Sequence, residues 1–321
     1  MKLVSIVTPC FNEEANVPEH FARVRAATAP FAGRYAFEHL YTDNASTDRT
    51  FELLAGLAAA HANVRVLRFS RDIGPNRAIA CGLRHAQGDA AILIQADLQD
   101  PPELIPEFLR GWEEGYDVVY GLIRRRREGI VLRALRRLYY RLVAALADVP
   151  PARDAGEFRL ASRRVLDAIA LYTEDDLYLR GAIAHIGFRQ LGVPYDRAAR
   201  RGGRSSNSPA GLFRYAVNGL LSTTVAPIRA VTLAGLALAA VGFLLTAALV
   251  VRHYLLPGVA PHGFTTIASL VTFFAGAQLL AIGTIGEYIR KIHVQSLRRP
   301  RGFVQDALNI DPLPPDRPPG P

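Results

Sequence analysis

The sequence predicts an α/β domain with a mostly parallel sheet, followed by amphipathic helices and a two-helix membrane hairpin. Three observations carry this expectation. Short apolar, β-compatible runs alternate with helical patterns through roughly the first 120 positions, the signature of right-handed βαβ units. Oxygen-rich clusters follow three of those runs, and ligands of open α/β sheets bind beyond the carboxyl ends of strands. Near the C-terminal end, two long stretches carry no charge, and each is long enough to cross a bilayer.

The first strand is expected at residues 3–8, ending in Pro9-Cys10-Phe11-Asn12-Glu13-Glu14. Asn12 suits the cap of a helix beginning near Glu14, with acids in its first turn. A second strand, 38–42, runs into Asp43-Asn44-Ala45-Ser46-Thr47-Asp48, and a third covers 64–69. Gly74-Pro75-Asn76 then opens a helix carrying Ala78, Ile79, Ala80 and Leu83. The fourth strand, 90–94, is wholly apolar and reads as central and buried on both faces. It stops at Gln95-Ala96-Asp97-Leu98-Gln99-Asp100, and Pro101-Pro102-Glu103 marks the next helix start. A fifth strand is expected at 117–120, with further strands at 156–160 and 188–195.

Asp97, Gln99 and Asp100 stand where the central strand delivers a ligand. Hard oxygen donors suit Mg²⁺ or Mn²⁺, with substrate phosphates completing the coordination. An isolated Asp-x-x-Asp reads first as a polar strand-to-helix loop. Here it is one of three acidic clusters expected on one rim, with Glu13 and Glu14, and with Asp43 and Asp48. Three clusters argue for a cation, a metal, or ribose and base recognition. Neither Gly-x-Gly-x-x-Gly nor Gly-Lys-Ser/Thr is present, so a bound diphosphate depends on metal and cationic side chains.

The formal net charge is +9, half the residues are hydrophobic and the mean hydropathy is +0.12. This balance fits an anionic membrane surface, phosphorylated substrates or nucleic acid. No nucleic-acid partner is expected, because the basic residues gather around the apolar segments without an interleaved aromatic platform. Two cysteines, Cys10 and Cys81, are too few for a disulfide framework and fit a reducing compartment. The apolar run after Lys2 is too short for a signal peptide and lacks a cleavage pattern.

From Arg124 the character changes. Arg124 to Arg127 is a basic run, and 130–147 spaces leucines at near-helical intervals with arginines between them. That pattern fits an anionic membrane surface and equally a solvated helix packed on its own domain. Residues 197–208 are rich in Arg, Gly and Ser. They read as a solvated linker or, beside a metal rim, as a lid over phosphates.

Residues 230–251, about 22 in number, and 263–286, about 24, are uncharged and read as membrane spans. Arg214 and Arg229 precede them, and Arg290, Lys291, Arg298, Arg299 and Arg301 follow, whereas the connection holds one Arg. The positive-inside rule then places both termini in the cytoplasm, the protein being a multi-pass protein of the cytoplasmic (inner) membrane. The expected organisation is a cytoplasmic catalytic domain, 1–207, an amphipathic interface helix, 208–229, the hairpin, 230–287, and a basic, Pro-rich tail, 288–321, disordered beyond Asp311.

Pro9-Cys10-Phe11-Asn12-Glu13-Glu14, Asp43 to Asp48 and Ala96 to Glu103, in this order, resemble the family-2 glycosyltransferases. Within that family the chain is most similar to the polyprenyl-phosphate hexosyltransferases. Gly156-Glu157-Phe158-Arg159-Leu160, Gly187-Phe188-Arg189 and Gly286-Glu287-Tyr288-Ile289 agree, so the resemblance reaches to about Arg301. It implies a GT-A fold, a Rossmann-like sheet binding a nucleotide-sugar. It also implies that Pro9, Phe11, Glu13, Asp43, Ala96 and Asp97 line the donor. Asp97 and Gln99 then approach Mg²⁺ or Mn²⁺ on its diphosphate. The pattern departs at Gln95, where an Asp is usual, at Asn44, where a second acid is usual, and at Ser206, where Lys is common.

The implied reaction is inverting transfer of a hexose, from a UDP-sugar first and GDP-mannose second, to polyprenyl (undecaprenyl) phosphate. Asp97 and Arg124 are the expected catalytic residues. Arg124 is the first candidate for the acceptor phosphate, with Arg200 and Arg204 behind it. Two alternatives stand beside this: a degenerate sugar-nucleotide-binding membrane scaffold, motivated by Gln95, and a polysaccharide synthase. The second usually carries Gln-x-x-Arg-Trp, whereas the only Trp here is Trp112. The oligomeric state, a homo-oligomer included, stays open.

Overall fold

The computed structural model describes residues 1–124, 155–172, 177–198, 263–297, 300 and 302–310, and scattered positions within 228–251. The amphipathic segments at 130–147 and 208–229, Arg200, Arg204, most of the first expected span and the tail from Asp311 lie outside the described residues. The chain divides into two units, Met1–Ser222 with Arg298–Pro321, and Thr223–Leu297.

The first unit is built on one eight-stranded sheet. Its strands in chain order are β1 (Lys2–Cys10), β2 (Tyr35–Asp43), β3 (Val64–Phe69), β4 (Ala90–Leu93), β5 (Val118–Ile123), β6 (Ala155–Ser162), β7 (Gln190–Tyr195) and β8 (Val304–Leu308). Across the sheet the order is β7-β5-β6-β4-β1-β2-β3-β8. β1 pairs in parallel with β2 and β4, β2 with β3, and β5 with β7; β6 and β8 run antiparallel to their neighbours. The sheet is thus mostly parallel, the expected α/β class.

Alternation along the strands supplies both faces of the core. Val7, Ala91 and Leu93 pack on one side with α3 (Pro75–His85), α5 (Arg163–Ala170) and α6 (Leu179–Ile186). Val4, Ile6, Ile92 and Ile94 pack on the other with α4 (Ile105–Glu113). Phe108 of α4 meets Phe158 of β6 at 4.5 Å between ring centroids. α1 (Val17–Thr28) and α2 (Thr50–Ala60) close a third cluster over β2 and β3.

Two local expectations change. Asn12 does not cap α1; Asn16 takes the N-cap position, and Asn12 sits at φ 55° in the preceding loop. Residues 304–308, which the composition leaves within the tail, form β8 on the edge of β3. Asn309 fastens that strand by donating to the carbonyls of Ala58 and Val64, at 2.8 and 2.9 Å.

In the second unit, α7 (Phe264–Ser296) contains the second expected span. Ile267, Val271, Phe273, Leu279 and Ile282 on it are exposed. Among the described residues no helix is long and apolar enough to cross a membrane.

His20 on α1 and His39 on β2 are buried in the core. Burial, with positive neighbours adding to it, pushes His20 down to about 3 and His39 down to about 4. The unfolded chain takes up protons at these rings near pH 6.5, whereas the folded chain does not. Their contribution is therefore intact above pH 6.5 and fades on acidification, by at most about 1.4 kcal/mol per pH unit per ring. Melting curves between pH 7 and 4 are expected to show a shallower acid loss for His20→Leu than for the parent. Equal slopes contradict this assignment.

Candidate active site

Because β1, β2, β3, β4, β5 and β7 run one way, their carboxyl ends share a rim. β6 and β8 run the other way and bring their first residues to the same rim. Three rim residues other than glycine sit at positive φ: Asn12 at 55°, Ala45 at 60° and Leu98 at 56°. For Ala and Leu this conformation costs on the order of 1–2 kcal/mol. The surrounding hydrogen bonds have to hold it.

The loops after β1 and β2 are laced together. Asn12 receives the backbone N–H of Thr47 at 2.8 Å, and its own N–H donates to Ser46 Oγ at 3.0 Å. The N–H groups of Glu13 and Glu14 donate to Thr50 Oγ1 and Asp48 Oδ2, at 2.8 and 3.2 Å. Two of the three acidic clusters therefore help build the rim. Glu13 is buried and accepts from Asn16 Nδ2 at 2.6 Å. Asp43 is fully buried, with Arg68 Nε 3.5 Å from its Oδ2. Burial raises its pKa, against the opposing hydrogen bonds of Ser46 and charge of Arg68. Arg68 also lies 3.6 Å from Asp306 of β8 and over the Phe51 ring at 4.4 Å.

The third cluster is built differently. Asp97 Oδ1 accepts the N–H of Gln99 at 3.1 Å, which turns the loop after β4. Asp97 is partly exposed, with side-chain exposure of 14%, whereas Asp100 is 1% exposed. Tyr195, the last residue of β7, donates its hydroxyl to Asp100 Oδ1. It reaches there because Gly121 on β5 has no side chain; a Cβ would stand 2.5 Å from the Tyr195 ring. Arg197 follows, with Nε 3.1 Å from Asp100 Oδ1 and Nη2 3.9 Å from Asp97 Oδ2. Ala198 N–H donates to Gln99 O at 3.0 Å, so residues 195–198 run along 97–100. Burial raises the Asp100 pKa, with Arg197 and the Tyr195 hydroxyl opposing it.

Glu157, at the start of β6, lines a small cleft with Asn76, Ile79, Ala80, Leu177 and Leu179. Arg180 Nε meets it at 2.6 Å, and Arg159 Nη2 lies 3.6 Å away. Burial works to raise this carboxyl, but Arg180 and Arg159 outweigh it and hold its pKa below the ordinary value.

The donor set fits a divalent ion completed by a substrate. Asp97 keeps partial exposure, and Asp100 Oδ2 is buried without a hydrogen-bond partner. A cationic side chain already sits against both carboxylates. Among the described residues no three His, Cys, Asp or Glu groups converge as a metal cage.

With this geometry in hand, likeness to known proteins is informative. Residues 5–170 match the profile described as Glycosyl transferase family 2. The chain belongs to that family.

Its relatives cover it almost end to end. The "Putative glycosyltransferase CsbB" of Bacillus subtilis (strain 168) is 33% identical over 305 residues, 95% of this chain and 92% of that one. The "Bactoprenol glucosyl transferase" of Shigella phage SfV is 33% identical over 304 residues, 94% of this chain and 98% of that one. Among solved structures, a mannosyltransferase of Pyrobaculum calidifontis in complex with GDP-Man and Mn²⁺ is 20% identical with a TM-score of 0.45. It covers 87% of this chain and 86% of that one.

The glycosyltransferase fold gathers most of the expected residues on one rim. Pro9, next to last in β1, is buried, and Phe11 is exposed just beyond the strand. Asp43 ends β2, and Ala96, Asp97 and Gln99 follow β4. Arg124 is exposed at the end of β5, its N–H bonded to Tyr195 O at 2.9 Å. Arg197 and Glu157 join the site without having been singled out individually. Only the antiparallel course of β6 puts Glu157 on the rim. The detectable trace was a lone acid in the expected strand 156–160.

Proposed function

We propose that the protein transfers a hexose, with inversion, from a nucleotide diphosphate sugar to polyprenyl phosphate at the cytoplasmic face of the membrane. A UDP-sugar is the preferred donor. The observation that carries this reading is a rim on which the partly exposed carboxylate of Asp97 has Arg197 beside it. Relatives named bactoprenol glucosyl transferase, 32–33% identical over 94–96% of this chain, support the acceptor.

A phosphate monoester is already anionic near neutral pH, so the nucleophile needs no strong general base. What the site must provide is alignment of two anions and relief of leaving-group charge. Asp97, with Gln99, would hold Mg²⁺ or Mn²⁺; when bound, that ion neutralises the departing diphosphate as a Lewis acid. Asp43 and the laced loops after β1 and β2 shape the nucleoside end. Arg124, with Arg200 and Arg204 as further candidates, receives the acceptor phosphate, which a guanidinium grips bidentately. Glu157, in the cleft wall, holds Arg180.

Membrane attachment rests on the uncharged stretches 230–251 and 263–286 and on the exposed apolar side chains of α7. The chain leaves the first unit after Ser222 and returns at Arg298 to add β8 to the same sheet. An excursion through the bilayer that ends on the domain it left crosses an even number of times, which fits a hairpin. Its cationic flanks favour cytoplasmic ends.

Arg124→Ala is expected to raise the KM for lipid acceptor about tenfold, as for a lost charge-assisted hydrogen bond. Donor affinity stays unchanged. Loss of donor binding instead, measured by titration with UDP-glucose and Mn²⁺, removes Arg124 from the acceptor side.

A further inference from the structure

We propose that Arg197 is the resident counter-ion of the metal position. It stands against Asp97 and Asp100 until a divalent ion arrives with the nucleotide sugar, and it disfavours free metal. This rests on the metal-dependent reading of Asp97 above.

The two contacts of Arg197 are unequal. Its Nε is 3.1 Å from Asp100 Oδ1, whereas its Nη2 is 3.9 Å from Asp97 Oδ2. Asp100 is the buried partner, fixed by the Tyr195 hydroxyl. The backbone bond from Ala198 N–H to Gln99 O keeps the segment in register beside the carboxylates. Arg197 is therefore anchored at Asp100 and only leans on Asp97. Its guanidinium can turn away from Asp97 without leaving Asp100.

Charge arithmetic gives the consequence. Asp97, Asp100 and Arg197 sum to one negative charge. A bare divalent ion at Asp97 would reverse that sign and meet the guanidinium a few ångströms away, a repulsion that solvent screens only in part. A diphosphate arriving with the ion restores the balance and offers the displaced guanidinium an anionic partner. Metal and donor therefore strengthen each other's binding, and by linkage the effect is reciprocal. Arg197 is a positioning residue here, acting through the occupancy of Asp97.

The test is a MnCl₂ titration of the full chain in detergent, reading free Mn²⁺ by electron paramagnetic resonance, with and without UDP-glucose. The parent is expected to bind Mn²⁺ weakly alone and more tightly with UDP-glucose. Arg197→Gln is expected to bind Mn²⁺ alone about tenfold more tightly, with a smaller gain from UDP-glucose. Arg197→Lys keeps the charge and is expected to behave as the parent; it is also the control for folding, with a thermal melt on each variant. If Arg197→Gln folds and leaves Mn²⁺ affinity unchanged while the parent binds Mn²⁺ with UDP-glucose, Arg197 is not the counter-ion and the metal reading survives. A parent that binds no Mn²⁺ even with UDP-glucose overturns both. Should Arg197→Gln fail to fold, tight Mn²⁺ binding by Arg197→Lys alone overturns the proposal.

Discussion

Asp97→Ala is expected to lower sugar transfer about a thousandfold while the protein keeps its fold. Asp97 is partly exposed, its bond to Gln99 N–H turns one loop, and its contact with Arg197 is the longer of two. Removing it costs the core little. What disappears is the partly exposed carboxylate just after the central strand, the proposed anchor for a cation opposite the leaving diphosphate. Asp97→Asn keeps the size and the turn, so the two variants should lose activity alike. Turnover of the purified variants, beside a melting curve, makes the check. Near-parental turnover in either variant removes Asp97 from the chemistry.

Glu157→Ala is expected to act through the fold as well as through the site. Its carboxylate is the counter-ion of Arg180 at 2.6 Å and of Arg159 at 3.6 Å, and Arg159 is 4% exposed. Leaving a buried cation uncompensated costs about 3 kcal/mol. For a domain of this size that corresponds to a drop of roughly 10 °C in Tm. Arg159 also donates to the carbonyl of Gly156 at 2.7 Å, which tempers the loss without cancelling it. The double variant Glu157→Gln with Arg180→Gln is expected to lose less than the two single changes together. Additive losses would show that the two groups do not act as a pair.

The sheet was legible because its strands are short apolar runs bounded by polar clusters. Residues 64–69 were expected as a strand and β3 has those bounds, while β1 and β2 extend a few residues beyond their apolar centres. What local pattern does not encode is pairing between distant segments. Val304-Gln305-Asp306-Ala307-Leu308 has little strand character by itself, and it becomes a strand by pairing with β3, some 240 residues earlier. The same limit hid Glu157. The expected ligand rim takes the carboxyl ends of strands, and β6 runs the other way, so it brings Glu157, near its start, to that rim.

Asn12 shows a different failure. Its residue type fits a helix cap, but its side chain bridges to Thr47 in the next loop, and the helix begins after Asn16 instead. The order of chemistry along the chain was nonetheless visible. Asp43 ends β2 and Asp97 follows β4, the two parallel strands that flank β1, so the sheet order brings both to one rim. Arg197 was visible only as one arginine in a basic run. Its pairing with Asp97 and Asp100 depends on β7 lying beside β5, which sequence spacing does not state.

The most direct measurement follows radiolabel from a nucleotide sugar into lipid. Membranes or detergent-purified protein are supplied with undecaprenyl phosphate and, in turn, UDP-glucose, UDP-N-acetylglucosamine or GDP-mannose, with and without EDTA. Label from a UDP-sugar should pass into the organic phase, require added lipid phosphate and stop with EDTA. Label that stays in the aqueous phase for every donor, or moves into lipid equally well with the chelator present, contradicts the account.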